Sequence, residues 1–186
     1  MRFTLFYRGE LRPNRGAVDK QAIRRAFHPQ LKCLWSLPPL TDFGQWLFPV
    51  PKQGEITLVE PVGKFQFVPL VSERIQMVAE IDITMLRPGP PGDLVNHAGD
   101  LDNRIKTLLD ALRVPREVTA IPKDDEPRQG EAPFFCLLGD DRLVTHLSIK
   151  TDSLLETTAR PSEVVMFLRV TTRPTRLTYA NVALGA

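Results

Sequence analysis

One stretch constrains the fold more than any other. In Gln76–Leu86, Met77, Ala79, Ile81, Ile83 and Met85 alternate with Val78, Glu80, Asp82 and Thr84. A side-chain period of two sustained over eleven residues is the period of a β-strand with one face on a core. A sheet therefore sits at the centre, and something must cover that face. Two helical patterns offer cover. Asp19–Leu34 brings Ala22, Ile23, Ala26 and Phe27 to one side, with Asp19 as the expected N-cap and Pro29 expected to kink or end the helix. The second pattern runs from about Asp102 to Leu112. Further strands are expected over 2–8, 56–59, 64–68, 142–150 and 163–172. Residues 36–55 suggest no regular element, and 114–134 read as a polar, proline-bearing loop. This order of elements predicts an α/β (α+β) fold, one mixed β-sheet packed against two main helices.

The chain has 186 residues, a length that one domain spanning 1–186 accommodates with a sizeable core. Its 42% apolar and 25% charged content lies in the globular range and excludes a disordered chain. No apolar run reaches the roughly 20 residues a membrane span needs. The first residues lack the apolar stretch of an export signal, so Cys33 and Cys136 are expected as reduced thiols and the location as cytoplasmic. Charge is unevenly spread. Residues 1–35 hold eight Lys/Arg against two acids, a net +6 in a chain whose total is +2, which leaves −4 for the rest. A basic end beside an acidic body suits a phosphate-backbone partner. Arg12, Arg15, Arg24 and Arg25 are the candidate phosphate contacts in that end.

The chemistry concentrates in Gly99–Leu112. Leu101, Ile105, Leu108, Leu109 and Leu112 make one apolar stripe. At about 100° per residue, that stripe leaves Asp102, Asn103, Lys106 and Asp110 on the opposite face, beside Asp100 at the helix start. Two carboxylates two residues apart at a helix start suit a hard cation such as Mg²⁺, which takes oxygen ligands and keeps open positions for a phosphate. A lysine one turn on can stabilise charge growing on that phosphate. The plain alternative is a helix cap followed by an i,i+4 ion pair. A second acidic step, Asp140-Asp141 ahead of the 142–150 strand, offers the third ligand the first pair lacks. The run Asp124-Asp125-Glu126 is read as solvated surface.

The pattern Asp100-Leu101-Asp102-Asn103, then Lys106, then Leu109-Asp110-Ala111-Leu112 and later Asp140-Asp141, resembles the core signature of the RusA-type Holliday-junction resolvases. The likeness covers roughly 76–150. It implies a RusA-like fold, a homodimer, a four-way or otherwise branched DNA partner, and Mg²⁺-dependent phosphodiester cleavage, with Mn²⁺ as a possible substitute. By position it implies metal binding at Asp100, Asp102 and Asp141, with Asp140 as the adjacent acid. Lys106 falls on the catalytic lysine, and Arg104 in the motif helix joins the DNA-binding candidates. The implied setting is bacterial or phage-like, intracellular and DNA-associated.

Three departures accompany the likeness. Asp102 and Asp141 stand 39 residues apart, wider than the family spacing, so about 114–138 is expected to be an inserted loop. The segment before Asp100 reads Asp93-Leu94-Val95-Asn96-His97 where the family has a basic run. Residues 36–75 have no family counterpart. Both of the other readings kept in view follow from these departures. One is a branched-DNA-binding protein of the same fold without catalysis. The other is a nuclease of the same chemistry acting on flaps, single strands or RNA. Among remaining residues, His97 is a candidate general base and His146 a structural residue. Trp35 and Trp46 read as core, and Glu80 and Asp82 as a solvated strand face.

Overall fold

The computed structural model describes residues 1–13, 16–88, 98–156, 160 and 162–184, and for 98–100 the backbone alone. The strand expected at 76–86 forms as Met77–Arg87. Its odd-numbered side chains from Met77 to Met85 are all buried. Among the described residues it is one of seven strands: β1 (Arg2–Glu10), β2 (Glu60–Val62), β3 (Phe65–Val71), β4 (Met77–Arg87), β5 (Phe134–Leu138), β6 (Val144–Ser153) and β7 (Glu163–Pro174). Two α-helices are described, α1 (Ala17–Trp35) and α2 (Ala98–Leu112).

The strands form two sheets rather than the single one expected. The larger has the order β1-β7-β4-β6, antiparallel except for the parallel β4–β6 pair. The smaller has the order β2-β3-β5, with β3 and β5 parallel. Both mix strand directions, and with the helices they make an α+β protein. The smaller sheet unites two segments distant in sequence: β3 covers the strand expected at 64–68, whereas no strand forms at 56–59 and β2 lies at Glu60–Val62 instead. β2 and β3 come from residues 36–75, and β5 closes the stretch expected to be an inserted loop. Each supplies the other's hydrogen bonds, as buried backbone requires. Phe65, Phe67 and Phe134 pack together beneath it with Val114, Ile121 and Cys136. Burial pushes the Cys136 thiol up, which keeps it protonated and inert.

One core joins both sheets to the helices. Phe27, Leu31 and Trp35 of α1 and Leu108 and Leu112 of α2 belong to the same buried cluster as Ile81 of β4 and Leu138 of β5. Helix α1 begins at Ala17 after an N-cap at Gly16, so Asp19 lies in the first turn rather than capping it. Pro29 does not end α1, which runs on to Trp35 because buried residues on both sides of the proline hold it to the core. The outer edge of β1 is covered by Gln30. Its side-chain oxygen accepts from the Phe6 N–H at 2.9 Å, and its amide donates to the Phe6 carbonyl at 2.7 Å. A strand-like partner on that edge blunts pairing with another chain. No helix among the described residues is long and apolar enough to cross a membrane.

Candidate active site

Helix α2 forms because its leucine stripe has a core to face: Leu108 and Leu112 are fully buried. Ala98 opens the helix, so Asp100 lies within the first turn; its side chain falls outside the described residues. The helix N-terminus favours negative charge at that end. One turn on, Lys106 Nζ meets Asp102 Oδ2 at 2.7 Å, with the two side chains 68% and 63% exposed. This is the pair the stripe predicts, on the solvent face.

The other end of α2 is built differently. Asp110 accepts from Lys20 Nζ of α1 at 2.6 Å and from Arg113 Nη2 at 2.7 Å. Partial burial pushes the Asp110 carboxyl up, but the hydrogen bonds from Lys20 and Arg113 outweigh it and hold it below the ordinary carboxylate value. Arg113 also reaches Asp141 Oδ2 at 3.6 Å, while Arg116 meets Asp141 Oδ1 at 3.0 Å and Asp140 Oδ2 at 3.7 Å. Asp140 caps the 3₁₀ turn Asp141–Leu143, accepting from the Arg142 N–H at 2.9 Å and from its Nε at 3.0 Å. Desolvation raises the Asp140 carboxyl, yet these bonds from Arg142 and one from Asp141 prevail and bring it down to about 2. That turn occupies the start of the strand expected at 142, so β6 begins at Val144.

The expected residues thus fall into two groups. Asp102 and Lys106 stand together near the helix start. Asp141 and Asp140 stand with Asp110, eight residues further along the helix than Asp102, or roughly 12 Å of axis. Among the described residues no three His, Cys, Asp or Glu side chains converge on a point that could hold a metal. The donor chemistry still suits a hard cation. Asp102 faces solvent with one flexible lysine on it, and Asp141 is balanced by two guanidinium groups that stand in for external positive charge.

The arginine candidates divide as well. Arg24 is 2% exposed and lies inside the protein, where it donates to the carbonyls of Asp110 at 2.9 Å and Ala120 at 3.1 Å. Burial lowers its pKa to about 10. It braces the end of α2 and is not presented to a phosphate. Arg25 is also spent internally, on Asp125 at 2.9 Å and Glu131 at 2.9 Å. That bond corrects the reading of 124–126 as unanchored surface, since Asp125 has an ionic tether to α1. Arg12 pairs with Glu10 at 3.0 Å and keeps an exposed side chain. Arg104 donates to the Leu11 carbonyl. Arg15 and His97 lie outside the described residues.

His146 Nε2 stands 3.6 Å from Asp82 Oδ1 on the open sheet face, and Arg173 pairs with Glu80 at 2.7 Å. Trp35 and Trp46 are buried in the core, as expected. Arg113 and Arg116 were not singled out by the sequence. Their only trace there is the i,i+3 spacing of Arg113 from Asp110. Beside Arg116 a cleft of about 390 Å³ opens between β2 and the turn after α2, lined by Glu60, Val62, Arg74, Val114, Pro115 and Gly139 among others.

Compared with known protein families, curated proteins and solved structures, the chain matches none.

Proposed function

We propose that this protein is a metal-dependent, structure-specific endodeoxyribonuclease. Its substrate is branched DNA, with the Holliday junction first among branched forms, and its setting is DNA recombination and repair in the cytoplasm. One observation carries this reading. The outer face of α2 carries the exposed Asp102–Lys106 pair, and at the far end of the same helix Arg113 ties partly buried Asp110 to the Asp140-Asp141 step. Carboxylates and a lysine set along one helix are the residue types that metal-assisted phosphoryl transfer uses.

The carboxylates that would serve Mg²⁺ or Mn²⁺ are Asp100 and Asp102 at the helix start and Asp141, with Asp140 beside it, at the far end; a single ion on all of them would need the two ends to draw together. The ion, when bound, supplies Lewis-acid activation of the phosphate and of a water. Lys106 then steadies negative charge on the phosphate oxygens. Arg12, Arg15 and Arg104 are the remaining candidates for DNA contacts. A homodimer belongs to the same reading, because paired cuts in two strands need two sites and two-fold symmetry is the commonest way to present them.

The test is incubation with labelled four-way junctions, flaps and duplexes in Mg²⁺. The reading expects junction cleavage that Asp102→Asn abolishes. Cleavage by Asp102→Asn at the parent rate contradicts it. A second reading, branched-DNA binding without cleavage, draws on the protein cations already seated on Asp102, Asp140 and Asp141. Tight junction binding with no cutting in Mg²⁺ or Mn²⁺ would favour that reading.

A further inference from the structure

The two edges of the larger sheet are finished differently. At the β1 edge the Gln30 side chain occupies both the N–H and the carbonyl of Phe6. At the other edge stands β6, whose strand partner among the described residues is β4 alone. The outward backbone donors and acceptors of this ten-residue strand are a template for another strand. The register shift beside Ala79 and Glu80 lies ahead of 146–153, so that run keeps a regular ladder. The core also stops short at β6. The inward side chains Ile81, Ile83 and Met85 of β4 are each buried to 2% or less. Their register partners on β6 are Leu147, Ile149 and Thr151. Leu147 is 37% exposed, and Ile149 is half-buried although it packs against the main core. No charge guards these inward positions, because His146, Lys150 and Asp152 pair with the outward residues Glu80, Thr84 and Leu86.

We infer that β6 is a dimer edge: a second copy of this chain lays its own β6 alongside, antiparallel about a two-fold axis, and the two four-stranded sheets become one. Only the expectation of a second copy rests on the nuclease reading. Two-fold symmetry makes each contact occur twice. The outward charges choose the register. An axis at Ser148 would set His146 against Lys150 of the partner subunit, with no acid between them. An axis at Ile149 sets His146 against Asp152 of the partner subunit, and opposite charges facing each other are what a ladder favours. The same axis places Ile149 against its own copy and Leu147 against Thr151 of the partner subunit. The apolar layer under β4 then continues across the axis, and the half-covered Leu147 and Ile149 lose their water.

The experiment uses the full chain, free of metal and DNA, and reads its mass by light scattering after size exclusion. At about 100 µM protein, a Kd of about 10 µM leaves most chains paired, and the parent is expected to be a dimer. Leu147→Lys puts an inward charge on the edge and is expected to raise Kd at least about 30-fold, with an unchanged circular dichroism spectrum. His146→Glu alters only an exposed side chain. It is expected to raise Kd about fivefold, and adding Asp152→Lys to it should restore the parent value. Phe6→Lys, on the open face of the same sheet, should leave the dimer intact. A monomeric parent overturns the inference. So does a dimer that Leu147→Lys and His146→Glu leave unchanged, or one that Phe6→Lys breaks. A dimer lost through β6 in a protein that cuts no junction would remove the nuclease reading and leave the edge standing.

Discussion

The two ends of α2 carry the same residue types in opposite settings. At the first end Asp102 and Lys106 pair with each other as exposed side chains, with no other ion-pair partner among the described residues. Exposed pairs of this kind contribute about 0.3–0.5 kcal/mol, so both side chains can be recruited by a ligand at little cost to the fold. At the far end, Asp110 is bound by Lys20 and Arg113, and buried Arg24 bonds its carbonyl. There the charges join α1 to α2 and to the turn ahead of β6. The difference teaches that a carboxylate's exposure and its partners, rather than its presence in a motif, separate a group kept for a ligand from one kept for the fold.

The contrast can be broken by substitutions at either end. The largest effect is expected from Arg24→Ala, which leaves two carbonyls and a buried space without a partner. We expect a loss of about 3 kcal/mol in urea unfolding. A loss under about 1 kcal/mol would mean that the far end is not held from inside. Asp102→Asn should do the reverse. Its cleavage of a four-way junction is expected to drop at least about 100-fold, equivalent to about 2.7 kcal/mol. Its unfolding free energy should stay within about 0.5 kcal/mol of the parent. Asp110→Asn is expected to cost about 1–2 kcal/mol of stability, discounted because the pair is partly solvated. Thermal melting compared side by side with Asp102→Asn measures that difference, and equal melting of the two would erase the contrast.

The smallest effect concerns pH. His28 is buried between Phe134 and Phe135, accepts the Phe135 N–H on Nδ1 at 2.9 Å, and has Nε2 at 3.2 Å from the Gly130 carbonyl. That arrangement requires the neutral ring, with the proton on Nε2. Burial lowers the His28 pKa, against smaller upward pulls from the Gly130 bond and Glu131. The unfolded chain then binds the proton more readily. The stabilisation is full above the unfolded value of about 6.5 and is lost as pH falls below it. Unfolding followed from pH 7.5 to 5 should show that slope in the parent and a shallower one in His28→Gln. Identical slopes would remove His28 from the account.

How much of this was legible follows from what each element faces. β4 and the stripe of α2 could be read because each has one buried and one wet face, which prints a period. β3 was read over 64–68 but not its continuation to Val71, and β5 was not read at all, since Phe134–Leu138 is buried throughout and its apolar run carries no alternation. Their parallel pairing joins segments 67 residues apart at Phe67 and Phe134, which local pattern cannot reveal. The extent of α1 was nearly right, but Pro29 was given too much weight, because tertiary contacts through Phe27, Leu31 and Trp35 override a local breaker. The Asp102–Lys106 pair was readable from spacing alone. Arg24 was misread as surface because its partners are backbone carbonyls, which leave no mark on the sequence. The tether between Arg25 and Asp125 was hidden for a related reason: its two halves lie on elements whose contact only the fold creates.

Whether the two ends of α2 make one site is the central question, and Mn²⁺ binding to a double-mutant cycle asks it directly. The parent, Asp102→Asn, Asp141→Asn and the double variant would be titrated with Mn²⁺ by calorimetry. If one ion needs both ends, either single substitution removes most of the affinity and the double variant loses little more, a strong departure from additivity. Losses that simply add, or affinity that survives either single change, would contradict the account.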